Sequence, residues 1–345
     1  MRLMTKTSGR RGATRGGTLV RACRHWPRDR ASARRPTASR GAPSRCARRA
    51  ERELDTSDVI VWPVLLGEPM KKTWKDAVTF ITGGGSGIGR ALSLELARRG
   101  ARVTVTDVNG DAAAKVAAEA GNGASSRALD VRDEAGMREA IEDTAARGGR
   151  LDLLINNAGI GAAGEAHEIP LPHWNRVLDV NVRGVLHGIV AGYPIMVRQK
   201  SGHILNVASL AGLGPAPLFT PYAMTKHAVV GLSTSLRIEA AAYGVHVSVL
   251  CPAAVETPIL DSENPPDLPA VPWVPNARRL LEALAGPPYP ADALAREALD
   301  AAADDVPVIV LPARARFLWR LGRMFPALVE KGGRDEIAKE RATRG

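Results

Sequence analysis

The sequence predicts a single α/β domain built on a doubly wound parallel sheet. Three observations lead there. Short, nearly unbroken apolar runs recur through the middle of the chain, helical stretches separate them, and the first run empties into a glycine-rich turn, "TGGGSGIG" at 82–89. Strands covered on both faces by crossover helices lose the usual in-out alternation and read as continuous apolar runs. A sheet so covered is the layered, doubly wound arrangement.

The runs justify the elements in order. "AVTFITG" (77–83), "RVTVTD" (102–107), "LDLLINNAG" (151–159), "GHILNVAS" (202–209) and "VHVSVLCP" (245–252) are the strands, and "VPVIVLP" (306–312) is a candidate for one more. Helical stretches such as "RALSLELARRG" after the first turn fill the gaps. From Ala313 on, "ARARFLWRLGRMFPALVEK" is basic and amphipathic. It is read as a packing helix, with an oligomer contact or a membrane-surface helix as alternatives. The expected division is therefore 1–74 as a basic extension without core pattern, 75–312 as the α/β domain and 313–345 as the amphipathic end.

Composition limits the function classes. The 345 residues are 45% hydrophobic and only 4% aromatic, so Ala, Val, Leu and Ile must fill the core. A formal charge of +11 could suggest a nucleic-acid partner. Its placement argues otherwise: residues 1–50 hold fourteen Arg and one Lys against Asp29, a balance of +14, which leaves −3 for the other 295 residues. Basicity belongs to the extension, so no nucleic acid is expected on the α/β domain. The Arg- and Ser-rich extension is expected to be mostly disordered. It fits a dispensable segment ahead of a working start at Met70, an organelle transit peptide, or a surface-binding arm. Three cysteines, Cys23, Cys46 and Cys251, make neither a disulfide framework nor a metal spacing, which suits a reducing compartment and a cytoplasmic location. No run of 18 apolar residues predicts a membrane span. The histidines show no metal-ligand spacing and are read as surface or core residues, and Cys251 as a small buried hydrophobe.

The glycines at 83, 87 and 89 sit between a strand and a helix. There they allow a tight turn and bring backbone N–H groups to a pyrophosphate at a helix N-terminus. The second strand ends at Asp107, eighteen residues after Gly89. A carboxylate there accepts from ribose hydroxyls of NAD and repels the 2′-phosphate of NADP. Ser86 and Val108 stand where a basic residue would favour NADP, and Arg90 already begins the helix, so NAD is expected over NADP. Downstream, "YAMTK" places Tyr222 and Lys226 one helical turn apart, on one face. A lysine beside a phenol favours the phenolate.

These motifs, with others in the same order, resemble the short-chain dehydrogenase/reductase family, a Rossmann-type fold, over roughly residues 75–312. "TGGGSGIG" resembles its TGxxxGxG motif, which implies cofactor contacts from Gly83, Ser86, Gly87, Ile88 and Gly89. "LDV" (129–131) resembles the segment at the adenine, here Asp130 and Val131. "NNAG" (156–159) resembles the motif that stabilises the central sheet and lines the cofactor, which implies cofactor contacts from Asn157, Ala158 and Gly159. "NVRG" supplies Asn181, and Ser209 with Tyr222 and Lys226 matches Ser…Tyr-x-x-x-Lys. "CPAAVETP" (251–258) resembles PGxVxT through Pro252, Val255 and Thr257, with Ala253 in place of the usual glycine.

The resemblance implies an NAD-dependent oxidoreductase acting on a CH–OH group. Tyr222 would be the general acid/base, Ser209 the group that holds the substrate oxygen, and Lys226 both an electrostatic partner and a ribose anchor. Asn181 would hold a proton-relaying water. A free phenol has a pKa of about 10, so Lys226 and the positive nicotinamide are expected to draw Tyr222 down. No metal is needed, and a homo-oligomer, dimer or tetramer, is expected. The other reading is a silent cofactor-binding sensor or scaffold, against which the intact Asn-Ser-Tyr-Lys set speaks. Specificity should come from the segment after Thr257, whose prolines, leucines and Trp273 suggest a loop and helix over the site. Such a lining suits a hydrophobic secondary alcohol or ketone.

Overall fold

The computed structural model describes residues 73–344. Residues 1–72 of the basic extension, with its expected disorder, transit signal and Met70 start, lie outside the described residues. A seven-stranded sheet of order β3-β2-β1-β4-β5-β6-β7 forms the centre. Its strands are β1 (Val78–Thr82), β2 (Arg102–Asp107), β3 (Ser125–Ala128), β4 (Leu153–Asn156), β5 (Gly202–Val207), β6 (Val245–Pro252) and β7 (Val308–Leu311). Every pairing is parallel.

Six of the strands are the six runs read from the sequence, "VPVIVLP" included. The seventh, β3, was not foreseen. Its residues are Ser-Ser-Arg-Ala, half exposed at the sheet edge, so no apolar signal marks it. It forms because Thr104–Asp107 of β2 offer an open parallel register to Ser125–Ala128.

Helices cover both faces. On one side α1 (Gly87–Arg98) and α2 (Gly110–Ala120) bury Leu92, Leu96 and Val116 against β1 and β2, and α8 (Ala291–Ala303) buries Leu294 against β6 and β7. On the other, α3 (Glu134–Gly148), α5 (Gly184–Gln199) and α6 (Thr220–Ala241) bury Ile141, Ile189 and Val229 against β4, β5 and β6. Trp74, assigned from sequence to the extension, belongs to this core: it is 2% exposed and its indole donates to the Leu299 carbonyl at 3.0 Å. The packed domain thus begins ahead of residue 75.

Helix α4 (Leu171–Leu178), a π-helical turn (Asp179–Arg183) and α5 run on without a break. Among the described helices this 171–199 stretch alone is long and apolar enough to cross a membrane by length and composition. Within it Val177, Val185 and Met196 are buried, the last two in the core on the sheet, while Leu171, Leu186 and Val190 are exposed. Beyond β6 lie a loop and α7 (Ala277–Ala285), the helix expected over the site. The carboxyl end is two helices where the sequence suggested one stretch: α9 (Ala313–Met324) and α10 (Pro326–Arg341), broken at Pro326, which cannot continue a helix from its own amide.

The chain leaves β1 outward to β2 and β3, then returns to β4 on β1's other side. Where order reverses, the carboxyl ends of β1 and β4 part and leave a crevice, the usual ligand position in such sheets.

Candidate active site

The crevice floor is built by glycine and amide packing. Gly83 has φ +61°, and a Cβ there would come within 2.8 Å of Ala158 Cα. At Gly89 a Cβ would lie 2.0 Å from the Gly83 carbonyl oxygen. Helix α1 can therefore start only where two chain segments touch without side chains. Its N-cap, Ser86, is exposed and makes no side-chain cap bond, so the first-turn N–H groups face the loop. Gly87, with φ +52°, faces Thr257, whose Cγ2 a Cβ would meet at 3.2 Å. Ile88 is half-buried against the core.

Asp107 closes the far end of the loop. Its carboxylate accepts from the Gly85 amide at 3.0 Å and the Asn109 amide at 2.9 Å. Arg90 reaches away to Glu119 at 2.5 Å, so its charge is already paired, and Val108 is 74% exposed. Asp130 is held by Arg132, whose guanidinium lies 2.5 Å away and keeps the carboxyl below its ordinary range. Val131 is buried against Gly184. These groups fit a dinucleotide: a bare backbone cradle, a helix N-terminus and a carboxylate at the ribose end.

Asn157 locks the second wall. Its amide donates to the carbonyls of Thr82 (3.0 Å) and Gly83 (2.9 Å), while the Thr82 hydroxyl accepts from the amides of Asn157 and Ala158. Gly159 borders the catalytic groups: a Cβ there would sit 3.3 Å from Asn181 Oδ1 and 3.4 Å from Lys226 Nζ. Pro252 ends β6, and Val255 bridges Tyr289, whose backbone also accepts from the Glu256 amide and donates to the Ala254 carbonyl. Ala253, the departure from the family pattern, donates its amide to the Leu311 carbonyl at 2.9 Å and is half-buried against the core.

The four expected catalytic residues converge. Pro221 sets the first turn of α6, which places Tyr222 there and Lys226 one turn on. Lys226 Nζ lies 5.5 Å from the Tyr222 ring centroid and donates to the Val207 carbonyl at 2.9 Å. Ser209 follows β5, accepts from the Ala211 amide at 3.1 Å and hydrogen-bonds the Tyr222 phenol. Asn181 sits in the π turn, fully buried. It accepts from the Ile160 amide at 2.9 Å and donates to the Ile160 carbonyl and the Thr225 hydroxyl, both at 3.0 Å.

The electrostatics correct one expectation. Burial raises the Tyr222 phenol above its ordinary value, and the Ser209 hydrogen bond only partly offsets it. Burial also lowers Lys226, 4% exposed, to about 8. Each charged form loses hydration, and among the protein's own groups that loss outweighs the attraction between them. Without cofactor, the Tyr222 phenol therefore holds its proton more strongly than a free tyrosine. Cys251 lies beside this group, buried, with its thiol pushed up to about 12 by burial.

Apart from Asn156, which lies in the "NNAG" motif expected to stabilise the sheet, several supporting residues escaped the sequence reading. Thr225 orients Asn181 and donates to the Tyr222 carbonyl at 2.7 Å. A buried relay ties β4 to β5 and α6: Asn156 donates to Asn206 at 2.8 Å, Asn206 to Ser233 at 2.9 Å, and Ser233 to the Val229 carbonyl at 2.6 Å. Gly188 is required there, since a Cβ would lie 2.1 Å from Asn156 Oδ1. Asn264, in the segment before α7, accepts from the Ala163 amide and donates to the Ala163 carbonyl, at 2.9 Å each, and ties that segment to the loop after β4. The polar letters inside apolar runs were the available signal.

Residues 77–267 match the family model described as short chain dehydrogenase. The chain is 38% identical over 190 residues to "Probable oxidoreductase EphD" of Mycobacterium tuberculosis, a match taking in 54% of this chain and 32% of that protein. It thus spans about a third of that relative's length. It is 36% identical over 203 residues to levodione reductase of Leifsonia aquatica, covering 55% of this chain and 76% of that one. A solved short chain dehydrogenase/reductase from Burkholderia phymatum, in complex with NAD, aligns with a TM-score of 0.68 at 32% identity, over 74% of this chain and 96% of that chain.

Proposed function

Since this chain belongs to the short chain dehydrogenase family, we propose that it transfers hydride between NAD(H) and a hydrophobic secondary alcohol or ketone, with Tyr222 as acid/base. The observation that carries this reading is the meeting of Tyr222, Ser209 and Lys226 beside a glycine cradle closed by Asp107.

Bound NAD supplies the hydride acceptor, or in reduced form the donor. The protein's groups handle the proton and the geometry. In reduction, the Tyr222 hydroxyl, aligned by Ser209, gives its proton to the carbonyl oxygen as the carbonyl carbon receives hydride. In oxidation, the phenolate takes the hydroxyl proton as the carbinol carbon loses hydride. Lys226, positive below its pKa of about 8, stabilises that phenolate. Asp107 accepts from the adenosine ribose, and with Arg90 already paired to Glu119 a 2′-phosphate would be repelled. The segment after β6 offers apolar groups for such a substrate: Val271 and Ile169 pack at Gly164, with the Trp273 backbone beside them, and Leu260 is buried. Levodione reductase, by its name a reductase of a dione, supports a ketone as one partner of the couple.

A panel of hydrophobic secondary alcohols with NAD⁺, followed by nicotinamide absorbance, tests this. The Michaelis constant for NAD is expected to be lower than for NADP by at least about tenfold, roughly 1.4 kcal/mol. Asp107→Ala with Val108→Arg should narrow or reverse the ratio. Equal use of both cofactors by the unaltered protein would remove the assignment to Asp107.

The electrostatics give a second test. Tyrosinate absorbance, taken as the difference from Tyr222→Phe, should show Tyr222 ionising above its ordinary value without cofactor, and NAD⁺ should draw that ionisation down. A raised acid pKa keeps the proton on at neutral pH, so reduction should be flat through neutrality while oxidation climbs with pH. Ionisation below about 10 without cofactor would overturn the dominance of burial.

A further inference from the structure

The α9–α10 hairpin is rooted at both ends and bare in the middle. Ala315 is buried near the start of α9, and Glu340 is 5% exposed near the end of α10. Between them Phe317, Met324, Phe325 and Leu328 are 65, 70, 52 and 61% exposed, with Leu318 and Val329 beside them. Large apolar side chains grouped this way on a convex tip mark a surface that something covers. Around them stand Arg316, Arg320, Arg323, Lys331 and Arg334, against Glu330, which is paired with Arg334. That rim is cationic, although the chain beyond residue 50 carries −3 in all.

We propose that this hairpin tip docks on an anionic lipid bilayer, with its apolar side chains entering the interface and its arginines on the headgroups. A protruding apolar tip with basic flanks has the chemistry of an interfacial helix. Each basic residue near an anionic surface strengthens binding by on the order of fivefold. The roots lie on the cleft. Glu340 accepts from the Asn276 amide at 2.9 Å and pairs with Arg279 of α7 at 2.8 Å, and Arg344 pairs with Glu168 at 2.8 Å. Helix α10 has 16 residues and is therefore about 24 Å long between the tip and those roots. If the proposed hydrophobic substrate holds, the cleft would face the phase that dissolves it.

The test uses the full chain, because residues 1–50 are themselves cationic and would bind anionic vesicles unaided. Phe325→Trp puts a reporter on the tip. In phosphatidylglycerol vesicles with brominated acyl chains, the added indole should be quenched beyond the unaltered chain's own signal. In phosphatidylcholine vesicles it should not. Adding Arg316→Glu, Arg320→Glu and Arg323→Glu should weaken quenching at least tenfold, with circular dichroism and NAD binding unchanged. Vesicle binding without quenching of the added indole would overturn the proposal and assign the binding to the basic extension. An unquenched indole, with light scattering that shows a two-copy particle dispersed by Phe317→Ser/Leu328→Ser, would overturn it in favour of a contact between copies.

Discussion

Tyr222→Phe is expected to lower turnover by about 10²–10⁴-fold, the span of a lost general acid/base, while NAD still binds. The ring stays, so the 5.5 Å packing of Lys226 on its face is kept and only the hydroxyl that Ser209 holds is lost. No other described group can take its place at that point. The Cys251 thiol is held at about 12 and is buried, and Lys226 Nζ is turned to the Val207 carbonyl and to the face of the Tyr222 ring. Steady-state kinetics with either cofactor form, beside calorimetric NAD titration, separates the two effects. Near-normal turnover with an unchanged pH profile would move the acid/base role to another residue.

Gly89→Ala is expected to abolish measurable cofactor binding and to destabilise the fold. The added methyl would lie 2.0 Å from the Gly83 carbonyl oxygen and 2.5 Å from Asn157 Nδ2. The first is backbone. The second is fixed by its own bonds to Thr82 and Gly83 and cannot swing aside. Helix α1 must therefore lift from β1, which disrupts the cradle and the Asn157 lock together. Overpacking of this kind costs about 1–3 kcal/mol in stability, and the displaced loop should lose NAD affinity by at least about a hundredfold, roughly 2.7 kcal/mol. Gly231→Ala is the control, since a Cβ there meets nothing within 4 Å and α6 continues on both sides. Normal NAD binding by the Gly89→Ala variant would show that the loop has slack the geometry denies.

The sheet was legible because strands covered on both faces announce themselves as apolar runs. β3 was not, because an edge strand of Ser-Ser-Arg-Ala owes its shape to its neighbour rather than to its own residues. The proposed catalytic residues were legible as a spaced set, and the structure brings Asn181, Ser209, Tyr222 and Lys226 to one place. The supports around them were not. Thr225 reads as an ordinary letter between Tyr222 and Lys226, and the Asn156–Asn206–Ser233 relay joins three elements far apart in the chain. The sign of the Tyr222 shift was missed for a related reason. Helical spacing reports that two groups are adjacent, but not how much water each gives up.

Cys251 closes the floor under Lys226 and Tyr222 as an uncharged thiol sealed from solvent. A thiol reagent needs the thiolate and a path to it, and the closed structure offers neither. Alkylation of this sulfur must therefore wait for the catalytic floor to part, by a local opening short of unfolding. The chain carries an internal clock: the rate at which Cys251 is consumed counts how often the acid/base pair comes apart, with no probe introduced at the site.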